Sequence, residues 1–407
     1  MKEFYFRNTC RLCGSHDLQL ALKLKPSPLC DAYVQTEKEQ ITYPLNLYFC
    51  NDCGFVQIDT IVNPEIIYRD YIYLTTSSLG LSKHFQGYAE EVCTQLKFVD
   101  SKFVVDIGSN DGTLLSFFKA QGHRILGIEP SAKTADDATQ KGIDTLARFF
   151  DLALSQKITS QYGFADLITI NNLFANIDDL EEFTHGVSQL LAKDGVLVIE
   201  SSYLLDMIDN MVFDFIYHEH LSYFSILPLI KFFEKFGMHL INIQEVPTKG
   251  GSLRYYWANK VSKWSPDSRV QAFIEREQKA SICINTFQEF ESRINCEKDK
   301  LIDYLNSNSL DRVVGYGASA TSTTLISHFE LHNYLSYLVD DNPGKIGTYS
   351  PGYHIPVYDS SKLNEYKPDL IIILAWRYRD EIIKRLEESE CINQTIIIPL
   401  PEFRTVL

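Results

Sequence analysis

The chain has 407 residues and a formal net charge of −15, and its composition is 45% hydrophobic and 22% charged. This composition excludes a disordered or fibrous protein, and the length exceeds what one hydrophobic core usually holds, so we expect two or three domains. The acidic balance argues against nucleic-acid binding, which needs a basic surface. The sequence has neither a signal-peptide-like start nor an apolar run long enough to span a membrane, so we expect a cytoplasmic enzyme without a membrane partner.

Two Cys-x-x-Cys pairs lie near the amino terminus, in a stretch with little helical periodicity. They are Cys10 with Cys13 and Cys50 with Cys53, and a glycine follows each pair directly. Four thiolates complete the tetrahedral shell of a structural Zn²⁺, and a tight turn must follow each metal knuckle. The sequence therefore predicts a zinc-binding module over residues 1–80. Because the spacer between the pairs is longer than in ordinary zinc ribbons, unrelated cysteines are the alternative.

Strand-like and helical stretches alternate from residue 103 to about residue 259, which predicts a doubly wound parallel sheet. The first strand ends in a glycine turn, where sheets of this kind bind ligands. Gly108 lets the backbone approach a ligand, and Glu129 is placed to accept hydrogen bonds from ribose hydroxyls. The Asn-Asp-Gly sequence at residues 110–112 departs from the dinucleotide pattern and favours S-adenosylmethionine over NAD; a turn without any ligand is the alternative. The expected cofactor-binding residues are Asp106, Gly108, Asn110, Asp111 and Glu129.

A dense group of titratable side chains occupies residues 216–224, after the fourth strand. Such density suggests proton transfer, while a metal held by His-x-His spacing and a polar linking loop are the alternatives. Adjacent residues of an extended segment point to opposite faces, so Tyr217, Glu219 and His220 can meet only if the segment turns. Further along, glycines at 250 and 251 precede Ser252 and Arg254, and Arg254 is placed to face a phosphate or carboxylate unless the segment is simply a hairpin turn.

Residues 266–309 carry spaced apolar side chains and interleaved charges, which predicts one long amphipathic helix between two domains. The strand and helix alternation then returns and predicts a second α/β unit. A Gly-x-Gly-x-x-Ala turn at residues 315–320, with Asp340 and Asp341 closing a later strand, matches the dinucleotide fingerprint and, taken alone, supports an oxidoreductase. The predicted boundaries are 81–262 for the central domain and 263–407 for the helix with the carboxy-terminal unit.

Taken in order, these segments resemble the sugar C-methyltransferase family that acts on nucleotide-linked 4-keto-6-deoxy sugars, over nearly the whole chain. The likeness is carried by the cysteine pairs and by residues 107–115, 217–220, 250–254 and 340–343. It implies an α/β protein with a small zinc-binding amino-terminal module, a central Rossmann-like methyltransferase domain and a carboxy-terminal Rossmann-like domain that helps to hold the nucleotide sugar. It also implies S-adenosylmethionine and structural zinc, but no redox cofactor and no obligate protein partner.

The resemblance places several side chains beside the sugar. Tyr217, Glu219 and His220 form its catalytic group, and a tyrosine from position 71 or 73 reaches over from the zinc module. Asn176 stands where the family usually shows histidine, and Ala-Thr-Ser at 320–322 replaces Ala-Lys-Gly, so both GDP and dTDP sugars fit. The expected substrate-binding residues are Tyr71, Tyr73, Asn176, Ser252 and Arg254.

The expected reaction is methyl transfer to C3 of a 4-keto-6-deoxyhexose. An adjacent ketone lets the electrons of the broken C–H bond settle on oxygen as an enolate. His220 is the expected base because the unperturbed pKa of histidine is about 6.5, and Glu219 is its competitor because burial can raise the pKa of a carboxyl group. The alternatives are an NAD-dependent sugar-nucleotide oxidoreductase, a sugar O-methyltransferase and a non-catalytic zinc-ribbon binding protein.

Overall fold

The computed structural model describes residues 3–68, 80–388 and 394–406. Tyr71 and Tyr73 therefore lie outside the described residues. Within the described residues, the predicted α/β class is confirmed: an amino-terminal β-module is followed by two α/β units, each built on one mostly parallel sheet. None of the described helices is both long enough and apolar enough to cross a membrane.

The amino-terminal module is built from short antiparallel strands. Its elements are β1 (Phe4–Phe6), β2 (Leu18–Pro28), β3 (Thr42–Cys50), β4 (Val56–Ile58), β5 (Thr60–Val62) and α1 (Pro64–Tyr68). Strands β2, β3 and β4 form one sheet, while β1 pairs with β5. The apolar side chains of β3 alternate between buried and half-buried positions, as expected of a strand with one face on a core.

The central domain contains a seven-stranded sheet. Its strands are β6 (Phe103–Ile107), β7 (Arg124–Ile128), β8 (Thr145–Leu146), β9 (Ala165–Asn171), β10 (Leu191–Ser202), β12 (Met238–Val246) and β13 (Ser252–Asn259). The helices are α2 (Leu81–Gln95), α3 (Thr113–Ala120), α4 (Ala132–Gln140), α5 (Leu152–Tyr162), α6 (Leu180–Leu190), α7 (Leu204–Asp209) and α8 (Ile226–Glu234). The order β12-β13-β10-β9-β6-β7-β8 reverses direction between β6 and β9, which is where open α/β sheets bind ligands. Only β13 of this sheet runs antiparallel to its neighbours.

The predicted single helix over 266–309 is wrong, because two helices occupy this segment. They are α9 (Ser268–Ala280) and α10 (Ile284–Ser307). The break lies at Ser281, whose backbone is left-handed with φ of 48°. Buried Val270 of α9 packs in the central core, whereas Phe287 and Phe290 of α10 pack in the core beneath the carboxy-terminal sheet. Each helix follows its own core, so the chain changes direction between them.

The carboxy-terminal domain has a six-stranded sheet. Its elements are β14 (Val313–Tyr316), α11 (Ala320–Phe329), β15 (Leu335–Val339), β16 (Val357–Tyr358), α12 (Lys362–Tyr366), β17 (Leu370–Ile373), α13 (Arg379–Glu388), β18 (Thr395–Ile398) and β19 (Arg404–Val406). The order β16-β15-β14-β17-β18-β19 corresponds to 3-2-1-4-5-6, the doubly wound arrangement, and only β19 is antiparallel. Strands β15 and β17 flank β14, so the glycine turn after β14 lies at the switch point of this second sheet.

The three parts of the chain share their packing. Strand β11 (Ser222–Tyr223), from the segment that carries the titratable cluster, pairs with β4 of the amino-terminal module. One hydrophobic core joins residues of β2 and β3, of the 204–223 segment and of the carboxy-terminal sheet. The segment that carries the titratable cluster is thus held between the amino-terminal module and the other two domains.

Candidate active site

One cleft of about 570 Å³ brings together the two glycine turns and the titratable cluster. Gly108, from the turn after β6, and Ala318, from the turn after β14, both line it. Tyr217, Glu219 and His220 line the same cleft. The carboxyl ends of central strands from both doubly wound sheets therefore open into the cleft that Tyr217, Glu219 and His220 line.

The first glycine turn has the backbone geometry that a close ligand requires. Gly108 has φ of 79°, and a Cβ atom there would lie 2.9 Å from Cδ2 of Leu173. Glu129 accepts the Asn110 N–H at 3.2 Å and the Ser131 N–H at 2.9 Å, one on each carboxylate oxygen. Burial raises the pKa of Glu129, and these backbone donors oppose the shift. The carboxylate is thus fixed at the cleft, with further lone pairs for hydroxyl donors.

The other predicted cofactor residues differ in position. Asn110 and Asp106 line the cleft, and burial raises the pKa of Asp106 to about 7, although the Thr169 hydroxyl donates to it at 2.6 Å. Asp111 does not line it. Its carboxylate instead accepts the Thr113 hydroxyl at 2.6 Å and the Thr113 N–H at 3.2 Å, at the start of α3. Asp111 therefore shapes the turn rather than the cleft wall.

The segment at residues 216–224 turns between Tyr217 and His220, as the shared location of these side chains requires. The N–H of His220 donates to the carbonyl of Tyr217 at 2.9 Å, and their ring centroids lie 4.2 Å apart. His218 points elsewhere, with Nε2 3.1 Å from the carbonyl of Pro44. The turn thus separates the two histidines and leaves Tyr217, Glu219 and His220 on the cleft. Asn176 lines it as well.

His220 is held in one orientation and one tautomer. Its Nδ1 lies 3.0 Å from the carbonyl oxygen of Phe215, which can only accept, so Nδ1 carries the proton and Nε2 is the basic nitrogen. Burial lowers the pKa of His220 to about 3, with a further contribution from the positive charge of Lys249. The imidazole is therefore neutral at every pH at which the protein would be assayed.

Two predicted substrate residues lie away from the cleft. Arg254, on β13, is fully buried; it donates to Glu200 at 2.9 and 3.0 Å and to Glu91 at 2.8 Å, and it stacks on the ring of Tyr88. The guanidinium of Arg254 is therefore paired with carboxylates of the protein, not with the phosphate or carboxylate of a ligand that the sequence predicts. Ser252 is buried too, and its hydroxyl donates to the carbonyl of Thr248 at 3.1 Å.

Sequence reasoning missed the cations of the cleft. Four line its described part, namely Arg148, Lys249, Lys345 and Arg377. Lys345 pairs with Asp31, and Arg377 pairs with buried Asp214 at 2.9 Å. Lys249, directly before the double glycine, makes no ion pair with a described residue. The signal was present in the motif that drew attention to Arg254, but nothing local indicated which of its two cations would reach the cleft.

The second glycine turn is held by an acidic residue in the same way as the first. Asp340 accepts the N–H of Ala318 at 2.6 Å and that of Asn342 at 2.8 Å. Asp341 is bonded to Tyr316 and Arg385. In the dinucleotide fingerprint an acidic residue at this strand end binds a ribose hydroxyl. Asp340 lines the cleft and, like Glu129, keeps further lone pairs for a ligand hydroxyl, whereas Asp341 is committed to protein side chains.

The four paired cysteines form one cluster in which all sulfur atoms lie within 4.8 Å of one another. Cys10 and Cys53 approach to 3.6 Å, as do Cys13 and Cys50. Tetrahedral zinc with Zn–S bonds of about 2.3 Å places its sulfurs about 3.8 Å apart, so the cluster fits the metal. Each knuckle closes in the same way: the N–H of Gly14 donates to the backbone carbonyl of Cys10, and the N–H of Gly54 donates to the backbone carbonyl of Cys50.

A buried arginine connects the first knuckle to the segment at residues 216–224. The Arg11 side chain has 0% exposure, and its Nη1 donates to the carbonyls of Ile58 at 2.9 Å and Leu221 at 3.1 Å. Its Nε donates to Asp178, a cleft residue, at 3.0 Å. Leu221 directly follows His220, so the cysteine knuckle is anchored to the backbone next to the predicted base.

Three family models match consecutive parts of the chain. A model described as "Putative zinc binding domain" matches residues 10–68, a methyltransferase domain matches 83–243, and a C-methyltransferase C-terminal domain matches 247–401. The chain is also similar to C-methyltransferase NovU of Streptomyces niveus, with 28% identity over 404 residues that cover 98% of this chain and 96% of that protein.

Two solved methyltransferase structures each match a little less than half of this chain. A Synechocystis magnesium protoporphyrin IX methyltransferase is 14% identical and covers 44% of this chain and 84% of its own, with a TM-score of 0.35. An S-adenosylmethionine-dependent methyltransferase of Clostridium acetobutylicum is 14% identical, and the match covers 48% of this chain and 95% of that protein, with a TM-score of 0.34. At these scores the two structures support no conclusion about the site.

Proposed function

We propose a carbon of a nucleotide-linked keto sugar as the methyl acceptor of this chain, which belongs to the S-adenosylmethionine-dependent C-methyltransferases. The specific substrate that we propose is a GDP- or dTDP-linked 4-keto-6-deoxyhexose, methylated at C3. The observation that carries this proposal is the single cleft in which two glycine turns of two doubly wound sheets flank Tyr217, Glu219 and His220. One turn suits the cofactor and the other suits a nucleotide, with the proton-transfer group between them.

The base that we propose is His220, whose neutral form is present although its pKa of about 3 makes it a weaker base than the unperturbed histidine on which the sequence-based choice depends. His220 accepts the proton from the carbon beside the ketone on Nε2, and the electrons of the broken C–H bond move to the carbonyl oxygen. When bound, S-adenosylmethionine would supply an electrophilic methyl group: the enolate carbon would form the new C–C bond with it, and the sulfur would keep the electron pair of the broken S–C bond. Tyr217 and Glu219 position the sugar, and the residues of the two turns would hold the cofactor and the nucleotide on either side of it.

A small substrate panel tests the proposal. We expect mass spectrometry to detect a product heavier by one methyl group with a GDP- or dTDP-linked 4-keto-6-deoxyhexose, and none with the matching 4-hydroxy sugars. Solvent deuterium should enter the keto sugar at the methylated carbon. Methylation of the 4-hydroxy sugars would instead indicate an O-methyltransferase, and oxidation or reduction with NAD an oxidoreductase.

Replacing Glu129 with alanine should weaken S-adenosylmethionine binding by about 1–3 kcal/mol, because ribose hydroxyls lose a charged acceptor. The loss should be larger than for a surface carboxylate because Glu129 is 8% exposed. Calorimetric titration measures the affinity directly. Glu181→Ala, an exposed change in α6, is the matched control and should bind as the parent does. Parental affinity in Glu129→Ala would remove this residue from the cofactor site.

We also propose that Cys10, Cys13, Cys50 and Cys53 bind one structural Zn²⁺. All four sulfur ligands come from the protein, so the metal shell is closed and offers no position to a substrate. The ion would hold the two knuckles together and would take no part in methyl transfer. Elemental analysis of protein purified without chelators should give one zinc per chain.

A further inference from the structure

We propose that Lys249 is a catalytic residue that stabilises the negative charge on the carbonyl oxygen of the sugar as the enolate forms. The inference rests on the proposed function, since only a reaction at a carbon beside a ketone produces such a charge. It assigns a role to the first residue of the Lys-Gly-Gly turn, while Arg254 of the same motif is committed to Glu200.

The turn that carries Lys249 is fixed in an unusual conformation. Lys249 has a left-handed backbone with φ of 57°, which is uncommon for a residue with a side chain. Gly250 and Gly251 follow, and their carbonyls accept the Asn210 side-chain amide at 2.9 Å and the Tyr203 N–H at 3.2 Å. Left-handed residues outside glycine persist where the surroundings over-determine them, often at functional sites.

The turn is closely packed on the side away from the cleft. A Cβ atom on Gly250 would lie 2.8 Å from Val212, and one on Gly251 would lie 2.5 Å from Asp206. The backbone of the turn therefore packs directly against the helical segment that leads into the catalytic residues. Lys249 itself is half-buried and lines the cleft together with Glu219 and His220.

The other cleft cations are less suited to this role. Lys345 is paired with Asp31 and Arg377 with Asp214, while Arg148 is exposed and follows β8 on the cofactor side. Lys249 has no ion-pair partner in the described part of the chain. A half-buried ammonium without such a partner gains most from an anion supplied by a ligand.

Burial leaves the Lys249 ammonium poorly solvated in the free site. Burial lowers the pKa of Lys249 to about 8, while the charges of Glu200 and Glu219 act in the opposite direction. The positive charge of Lys249 also helps to lower the pKa of His220. The cation therefore opposes protonation of the base until a negative oxygen forms nearby. Once the proton is on His220 and the electron pair is on the carbonyl oxygen, that oxygen attracts both cations. The interaction is thus stronger in the transition state than in the ground state, as catalysis requires.

The test compares Lys249→Met with Lys249→Arg, using the keto sugar that the parent methylates. In Lys249→Met we expect kcat to fall by roughly 100- to 1000-fold, the scale of losing one oxyanion donor, with KM near the parental value. Solvent deuterium exchange into the sugar should fall by a similar factor. Lys249→Arg keeps the positive charge and should recover part of both rates. Calorimetric affinity for S-adenosylmethionine should be parental in both variants, which shows that they fold. The surface control Lys260→Met should keep the parental kcat.

Three results would overturn the inference. Parental turnover and exchange in Lys249→Met would show that the charge is not needed. A raised KM with unchanged kcat would make Lys249 a binding residue, for example toward phosphate. Equal loss in both variants would show that the cation is not what matters. If the parent protein methylates a hydroxyl oxygen of the keto sugars, or does not methylate them at all, the proposed function itself is wrong and the inference falls with it.

Discussion

Replacing His220 with asparagine should lower kcat by roughly 10³-fold, within the range of about 10²–10⁴ that a positioned general base contributes. The side-chain amide of asparagine can still donate a hydrogen bond toward the carbonyl of Phe215, but it offers no basic nitrogen. Solvent deuterium exchange into the keto sugar should fall with kcat, because both need the same proton transfer. His185→Asn, an exposed change in α6, is the matched control and should leave both rates unchanged.

Glu219→Gln separates the two possible bases. If Glu219 only positions the sugar, the variant should keep measurable exchange while KM or kcat changes moderately. A His220→Asn variant with near-parental turnover, beside a Glu219→Gln variant that has lost turnover and exchange, would transfer the role of base to Glu219.

The pH profile gives an independent check on His220. Because burial lowers its pKa to about 3, the neutral, basic form is present at all pH values above about 3. His220 should therefore contribute no acidic limb to kcat/KM near pH 6.5, where an unperturbed histidine would be protonated. A limb near pH 7 that persists in His220→Asn would come from Asp106, whose pKa burial raises to about 7. A limb near pH 6.5 that disappears in His220→Asn would show that the imidazole titrates normally in the free enzyme.

The sequence predicted well those features that depend on local pattern. Continuous apolar runs such as those of β6 and β17 are typical of strands covered on both faces, and these strands occupy the centres of the two sheets. The two cysteine knuckles were predictable for the same reason, since each is a short, self-contained turn. Their convergence into one cluster could be inferred from the chemistry of the metal.

Features that depend on distant partners were not predictable from the sequence. The location of Arg254 is decided by Glu200, which lies directly opposite it on the antiparallel neighbour β10. The break between α9 and α10 has neither glycine nor proline and arises because the two helices pack on different cores. Lys249 reaches the cleft because the next residue, Gly250, packs closely against Val212, and no local sequence pattern indicates this contact.

The second large effect is expected on stability, when the cysteine cluster is disrupted by Cys50→Ser. We expect the zinc content to fall well below one per chain and the melting temperature to drop, because a structural zinc contributes its binding free energy to folding. Phe55 and Leu12, from the two knuckles, pack in the core of the central domain, so the loss should spread beyond the module. Unchanged metal content and stability in Cys50→Ser would remove the site. The matched control is Cys296→Ser, an exposed change in α10.

The same variant should lose turnover more than cofactor binding. Arg11, inside the first knuckle, donates to the carbonyl of Leu221 next to His220, whereas Gly108 and Glu129 belong to strand ends of the central sheet. Disordering the knuckle should therefore displace the base and leave S-adenosylmethionine affinity near the parental value. Arg11→Lys tests this link with the cysteines intact: we expect full zinc content, parental cofactor affinity and a kcat reduced by roughly tenfold or more, since small misplacements of a catalytic group are costly. A kcat that follows zinc content alone, with Arg11→Lys fully active, would assign the module a purely structural role.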